Sequence, residues 1–217
     1  MIKRIIIGSA FMLLAASCFS QADSLMGRKE VSSAIRISMI GSILYPGASL
    51  GLEIPAYSTD ILRSSKKKGA KMFGRDRLVS LNASWYHHPD FHDNLYFTAE
   101  WIMRRTGPGG FFTEFSPGLG YSRTFLGGTT YEVDNNGNVS IIRAAGYSYA
   151  VAKAGVGLGF SFSELKGIPL SLYYDFNMIT MFPYNSTIYF RPVMELGLIY
   201  KPEYFLPVSI KRKKFKK

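Results

Sequence analysis

From about residue 31 to residue 200 the chain alternates between two faces with a period of two. Leu95, Phe97, Ala99, Trp101 and Met103 form an apolar stripe, and Tyr96, Thr98, Glu100, Ile102 and Arg104 lie behind it. Successive side chains of a strand point to opposite sides, so the pattern predicts β-strands rather than helices. In segment after segment one face is apolar and aromatic. The other is Gly, Ser, Thr and Asn with an occasional charge.

Turn residues divide this pattern into eight strands. The first covers about 32–42. After Tyr45-Pro46-Gly47 the second covers 48–57, with Leu50, Leu52 and Ile54 opposed to Gly51 and Glu53. Residues 58–77 are polar and carry no period. The third strand covers 78–87 and the fourth 95–105, separated by a turn cluster from Pro89 to Asn94. Gly107-Pro108-Gly109-Gly110 then turns the chain. The fifth strand starts at Phe111 and is expected to run on to Asp134. Asn135-Asn136-Gly137-Asn138 is a hairpin signal, because Asn and Gly accept the positive φ of primed turns. The sixth strand, 139–162, completes this hairpin. Both arms exceed the ~9–11 residues that cross a bilayer as a strand, so their tip is expected to stand clear of it. Strands seven and eight cover 168–180 and 187–200, with Pro183-Tyr184-Asn185 between them.

A sheet that is oily on one face and sparsely polar on the other fits two barrels of opposite polarity. A lipid-embedded barrel turns the oily face outward, whereas a soluble lipocalin-like barrel turns it inward. The soluble form needs an outer face rich in Lys, Glu and Gln, but the polar face here is mostly small: Ser116, Gly118, Gly120 and Ser122 on one strand, Gly155, Gly157 and Gly159 on another. The apolar face carries Trp85, Phe97, Trp101, Phe115, Tyr121, Tyr174 and Phe190, in keeping with the aromatic girdles of membrane barrels. Eight strands make the smallest usual membrane barrel, with a lumen just wide enough to be filled by side chains. The polar face also holds Arg36, Glu53, Glu100, Arg104, Glu114, Lys153, Asp175, Arg191 and Glu195. Buried charges persist only when paired and hydrogen-bonded, so these nine are expected to form one charge network in the lumen.

The stretch 31–200 resembles a small outer-membrane β-barrel of the OmpA/OmpX type, the antiparallel up-and-down architecture. Particular words are similar to uncharacterised outer-membrane barrels of Bacteroidota: Tyr86-His87-His88-Pro89-Asp90-Phe91-His92, Arg104-Arg105, Phe111-Phe112-Thr113-Glu114-Phe115, and Gly127-Gly128-Thr129-Thr130-Tyr131-Glu132-Val133-Asp134. The resemblance implies a Gram-negative cell envelope and brings no activity with it. Barrels of that class end on an aromatic residue of the last strand. Glu195-Leu196-Gly197-Leu198-Ile199-Tyr200 resembles such an ending, yet 17 residues follow.

The ends fit this placement. Lys3 and Arg4 precede an apolar run from Ile5 to Ala16, and Ser20-Gln21-Ala22 supplies small residues for cleavage, so 1–22 is expected to be a signal peptide. A second reading takes Leu14-Ala15-Ala16-Ser17-Cys18 as a loose lipobox that would lipidate Cys18. Cys18 is the one cysteine, so the mature chain has no disulfide framework. After residue 23 no apolar run approaches the roughly 18–20 residues of a spanning helix. A chain that spans without helices must close into a barrel, here 23–200, because only closure satisfies every backbone group in lipid.

The formal charge of +11 falls to +9 with loss of Lys3 and Arg4. Two basic stretches hold all of it: 58–77, with Lys66, Lys67, Lys68 and Lys71, and the tail 201–217, with Lys211, Arg212, Lys213 and Lys214. Eight strands after a periplasmic N-terminus place both on the periplasmic side. Clustered cations near a bilayer attract anionic headgroups at ~1 kcal/mol each, so anionic lipid or an anionic cell-wall polymer is an expected contact. A solvated tail is the plainer alternative. Nucleic acid is not expected as a partner, since a secreted chain leaves the cytoplasm.

Chemistry is sparse. His87, His88 and His92 share one turn with Asp90 and Asp93 and are weak zinc or copper candidates, since a strand points His87 and His88 to opposite faces. Ser84, His88 and Asp90 or Glu100 are a hydrolase candidate, but four residues along a strand separate Ser84 from His88 by about 13 Å. No nucleotide loop, calcium loop or Gly-x-Ser-x-Gly elbow occurs, and no cofactor is implied. The reading is thus an eight-stranded barrel of structural or binding role, without catalysis. Membrane lipid is one partner, and a protein partner is expected at the 125–147 hairpin. A narrow pore and a lipid-modifying enzyme are the alternatives.

Overall fold

A computed structural model describes residues 28–42, 45–65, 69–89, 91–163, 167–184 and 187–216. The expected signal segment, Cys18 included, lies outside these residues. Twelve strands form: β1 (Arg28–Val31), β2 (Ala34–Ser42), β3 (Tyr45–Ser65), β4 (Gly69–His88), β5 (His92–Thr106), β6 (Phe111–Leu126), β7 (Thr130–Val133), β8 (Val139–Ile142), β9 (Ser148–Ser161), β10 (Leu170–Tyr184), β11 (Thr187–Tyr200) and β12 (Val208–Lys216).

Eight of them close a ring in the order β2-β3-β4-β5-β6-β9-β10-β11. Every neighbour is antiparallel, and the last ladder, Met194↔Gly41 to Tyr200↔Ile35, joins β11 back to β2. Closure leaves no exposed sheet edge within the ring. The chain is therefore all-β, an eight-stranded antiparallel up-and-down barrel.

Polarity runs as a lipid-facing barrel requires. Ile37, Leu50, Leu81, Trp85, Phe97, Trp101, Phe115, Leu119, Tyr121, Val156, Tyr174, Phe190 and Leu196 all face outward and are exposed, Leu119 by 62%. Glu100 and Arg191 are buried, at 5% and 4% exposure. A soluble barrel would show the opposite. The interior is layered. Ala34, Phe112, Tyr173 and Ile199 pack at the end that holds the termini. Ile40, Tyr86, Tyr96, Tyr149, Val151, Ile179, Met181 and Val193 pack toward the other end, where the β4–β5 and β6–β9 connections lie. The charged residues of the interior, Arg191 apart, occupy the level between. Glycines on β9 leave space for their bulkier neighbours: a Cβ on Gly157 would stand 1.8 Å from Asp175 Oδ1.

Two segments depart from the sequence pattern. Within the polar stretch 58–77, residues 58–65 and 69–77 are strand. They extend the β3–β4 hairpin from Tyr57↔Arg77 to Ser65↔Gly69 beyond the barrel. Outside the bilayer and the core, no face of this ladder has to be apolar, so no period marks it. Its edge continues the ring in another form. β2 covers β3 as far as Glu53, and β12 covers it in parallel from Tyr57 to Leu62. β1 then pairs with β12. The basic tail 201–217 thus contains a strand that is part of the main sheet.

The second departure is at the long hairpin. The β6–β9 ladder stops at Arg123↔Ser148, and β7 and β8 form a separate two-stranded ribbon from Thr130↔Ile142 to Val133↔Val139. Between them the backbones bond directly, Thr124 N–H to Tyr147 O and Leu126 N–H to Ala145 O, both at 2.9 Å. Gly146 lies so close beneath Thr124 that a Cβ would stand 1.7 Å from its carbonyl oxygen.

Candidate functional site

The period-two register carries Arg36, Glu53, Arg104, Glu114 and Asp175 from β2, β3, β5, β6 and β10 into one interior cluster. Arg36 Nη1 donates to Glu53 Oε1 and to Glu114 Oε1, both at 2.9 Å, and its Nη2 donates to Asp175 Oδ2. Arg104 meets the same two glutamates: Nη2 to Glu53 Oε1 at 2.7 Å and Nε to Glu114 Oε2 at 2.8 Å. Each arginine also lies against an aromatic ring of the apolar layer below, Arg36 on Tyr173 at 3.9 Å and Arg104 on Phe112 at 4.8 Å. Guanidinium suits this place, because its planar fork serves several carboxylates at once and is weakly hydrated.

A second cluster lies one layer toward the loop end. Lys153 Nζ donates to Glu100 Oε1 at 2.7 Å and lies 3.7 Å from Glu195 Oε2. Glu100 also accepts from Thr98 and Asn82, and Glu195 from Ser38, Tyr173 and Asn177. On Glu100 the neutral donors share Oε1 with the ammonium, and on Glu195 they reach both oxygens, the kind of added hydrogen bonding that a buried carboxylate requires.

Arg191 stands apart from both clusters. It is buried, yet among the described residues it makes no ion pair or hydrogen bond, and its Nε has no partner. Its guanidinium lies 3.4 Å from the centre of the Tyr86 ring and 5.0 Å from that of Tyr45. These residues floor a cavity of about 430 Å³ at the loop end of the barrel. Tyr147, Tyr149 and Tyr189 line it together with Phe91, His88 and His92. The sequence reading placed Arg191 in the network, whereas the fold sets it at the mouth. The tyrosines around it bore no sequence signal, since alternating aromatics read equally as core.

The histidines divide as the strand period requires. His87 turns outward and shares a 2.9 Å contact with Asp93, whereas His88 and His92 face the cavity with ring centres 5.1 Å apart. Among the described residues no group of three or more His, Cys, Asp or Glu is placed to hold a metal ion. The hydroxyl of Ser84 shares a 2.7 Å hydrogen bond with that of Ser49, and Glu100 is occupied by Lys153. Asp90, the other acid of that candidate set, lies outside the described residues. Of the basic surface candidates, Lys71 is exposed on β4. Lys211, Arg212, Lys213 and Lys214 belong to β12, and Lys66, Lys67 and Lys68 lie outside the described residues.

No family model and no curated protein matches the chain. Among solved structures it is similar to Neisserial surface protein A (NspA), at 12% identity over 81% of this chain and 99% of that one, with a TM-score of 0.38. It is also similar to the outer membrane enzyme PagL, at 13% identity over 78% of this chain and 97% of that one, with a TM-score of 0.34.

Proposed function

We propose that this chain is a bacterial outer-membrane barrel whose lumen is closed by its own charge network and which acts as a scaffold or binding protein rather than a catalyst or pore. The observation that carries the reading is the reach of Arg36. From β2 it engages β3, β6 and β10 at once, and β6 is the strand opposite β2 in the ring of eight. A side chain bonded to the far wall occupies the path an ion would take. Apolar layers on both sides of the network add to this seal.

The outward oily face supports a bilayer location, and the expected leader 1–22 supports export to the outer membrane. The loop end then faces outside, and the β3–β4 extension with β12 faces the periplasm, where its cations would meet anionic lipid or cell-wall polymer. The ribbon β7–β8 stands off the barrel with Tyr131, Val133, Val139 and Ile141 exposed, which suits it to a protein partner.

Conductance tests the closed lumen. Purified protein is shown to be folded by its heat-modifiable gel shift and is then placed in planar bilayers. The unmodified chain is expected to give no single-channel steps, and Arg36→Gly with Glu114→Gly is expected to give them. Steady stepwise current through the unmodified protein refutes the closed lumen and favours the narrow pore.

A further inference from the structure

The cavity above Arg191 has a chemistry the closed-lumen reading does not use. Its floor is a cation that is 96% buried and has no carboxylate partner among the described residues. Elsewhere in the lumen this chain pairs its cations: Arg36, Arg104 and Lys153 each meet two or more acids. A buried charge without a counter-ion is costly, and two tyrosine faces offset only part of that cost. The missing charge is best supplied from outside, through the open mouth.

The walls state what else the occupant carries. Tyr147 and Tyr189 line the cavity above Tyr45 and Tyr86, and Phe91 and Tyr147 stand exposed at the lip. Such side chains combine an apolar body with a polar tip. They match a ring that is apolar on its faces and hydroxylated on its edge, as a sugar is. A long acyl chain needs an enclosed aliphatic channel, and this site is an open cup. About 430 Å³ lies within the range of small-molecule sites.

We infer that the mouth of the barrel is a binding site for an acidic sugar, with the anionic group held by Arg191 and the ring stacked on the tyrosine wall. The inference rests on the barrel being folded with its loop end accessible. It does not rest on the lumen being closed.

The test is calorimetric titration of the folded, detergent-solubilised full chain with glucuronate, a glucose phosphate, neutral glucose and octanoate. Glucuronate or the glucose phosphate is expected to bind at least tenfold more tightly than glucose. The stronger of the two identifies a carboxylate or a phosphate as the natural anion. Arg191→Gln is expected to weaken the acidic sugars at least tenfold, with Arg191→Lys recovering part of the loss. Tyr147→Ala, a change at an exposed rim position that the fold does not need, is expected to weaken them as well. Equal affinity for glucuronate, glucose phosphate and glucose overturns the inference. So does a folded Arg191→Gln protein with unchanged affinity, or octanoate binding more tightly than both acidic sugars. Planar-bilayer conductance stays a separate readout, so failure here leaves the closed lumen standing and the reverse also holds.

Discussion

Arg36 on β2 bonds Glu114 on β6 across the full width of the barrel, at 2.9 Å. In an eight-stranded ring no two strands are farther apart. One arginine thus ties opposite walls together, and its removal leaves Glu53 and Glu114 to Arg104 alone and takes from Asp175 its ion-pair partner. Breaking a buried pair by removing one partner costs about 3–5 kcal/mol. Arg36→Met is expected to lose stability in that range, read from the urea midpoint of the heat-modifiable band. Arg36→Met with Glu114→Gln and Asp175→Asn removes the orphaned charges and should regain a good part of it. Equal losses in the single and the triple variant would contradict the account.

Gly157 is set by the same network. A methyl group there meets Asp175 Oδ1, on the carboxylate whose Oδ2 accepts from Arg36. Gly157→Ala is expected to cost about 1–3 kcal/mol as an overpacking change. Gly128→Ala, where a Cβ would have nothing within 4 Å, serves as the matched control with little effect.

His92 lies at the lip of the barrel, beside the outward polar pair His87 and Asp93. Burial, reinforced by His88 and Arg191, holds its imidazole below the ordinary value. The folded state therefore binds fewer protons than the unfolded chain as pH falls through about 6.5, and by linkage the lip loses stability in that direction. Amide exchange around residues 88–95 is expected to quicken between pH 7.5 and pH 5. His92→Asn should flatten that dependence, and an unchanged slope in the variant would assign it elsewhere.

At the hairpin tip Asp134 accepts from the backbone N–H groups of Asn136 and Asn138 and from the Asn138 side chain. Hydrogen bonds from Asn138 hold its carboxyl below the usual value. A depressed carboxyl contributes order that is complete above its unfolded value near 4 and is lost as pH falls through the lower folded value. The β7–β8 amide signals are expected to broaden below pH 4, and Asp134→Ala should show the same broadening at neutral pH.

β12 covers the edge of β3 beyond the point where β2 leaves it. Deleting residues 208–217 also removes the partner of β1. Protease is then expected to cut within 57–77 while the barrel keeps its heat-modifiable shift. Retained protection of 57–77 would show that β12 is dispensable to the extension.

Much of this molecule was legible from local pattern. Phe97, Trp101 and Leu119 against Thr98, Glu100 and Gly120 already declare strands and their polarity, because alternation is imposed residue by residue by lipid on one side and a narrow lumen on the other. The alternation of the last strand spans 187–200, its bounds in the fold, for the same reason. Alternation falls silent where neither condition holds. Residues 58–65 and 69–77 are strand without a period, because no face there must be oily. The chain also leaves the barrel earlier than its pattern implies, near Leu126, where Gly146 lets two backbones approach closely.

The interior residues could be listed from sequence, but their partners could not. Arg36, Arg104, Lys153 and Arg191 read alike as inward cations. Only the register of eight closed strands puts three of them among carboxylates and the fourth under a cup of tyrosines. Which wall a side chain reaches depends on stagger and closure, properties of the whole ring that no single segment encodes.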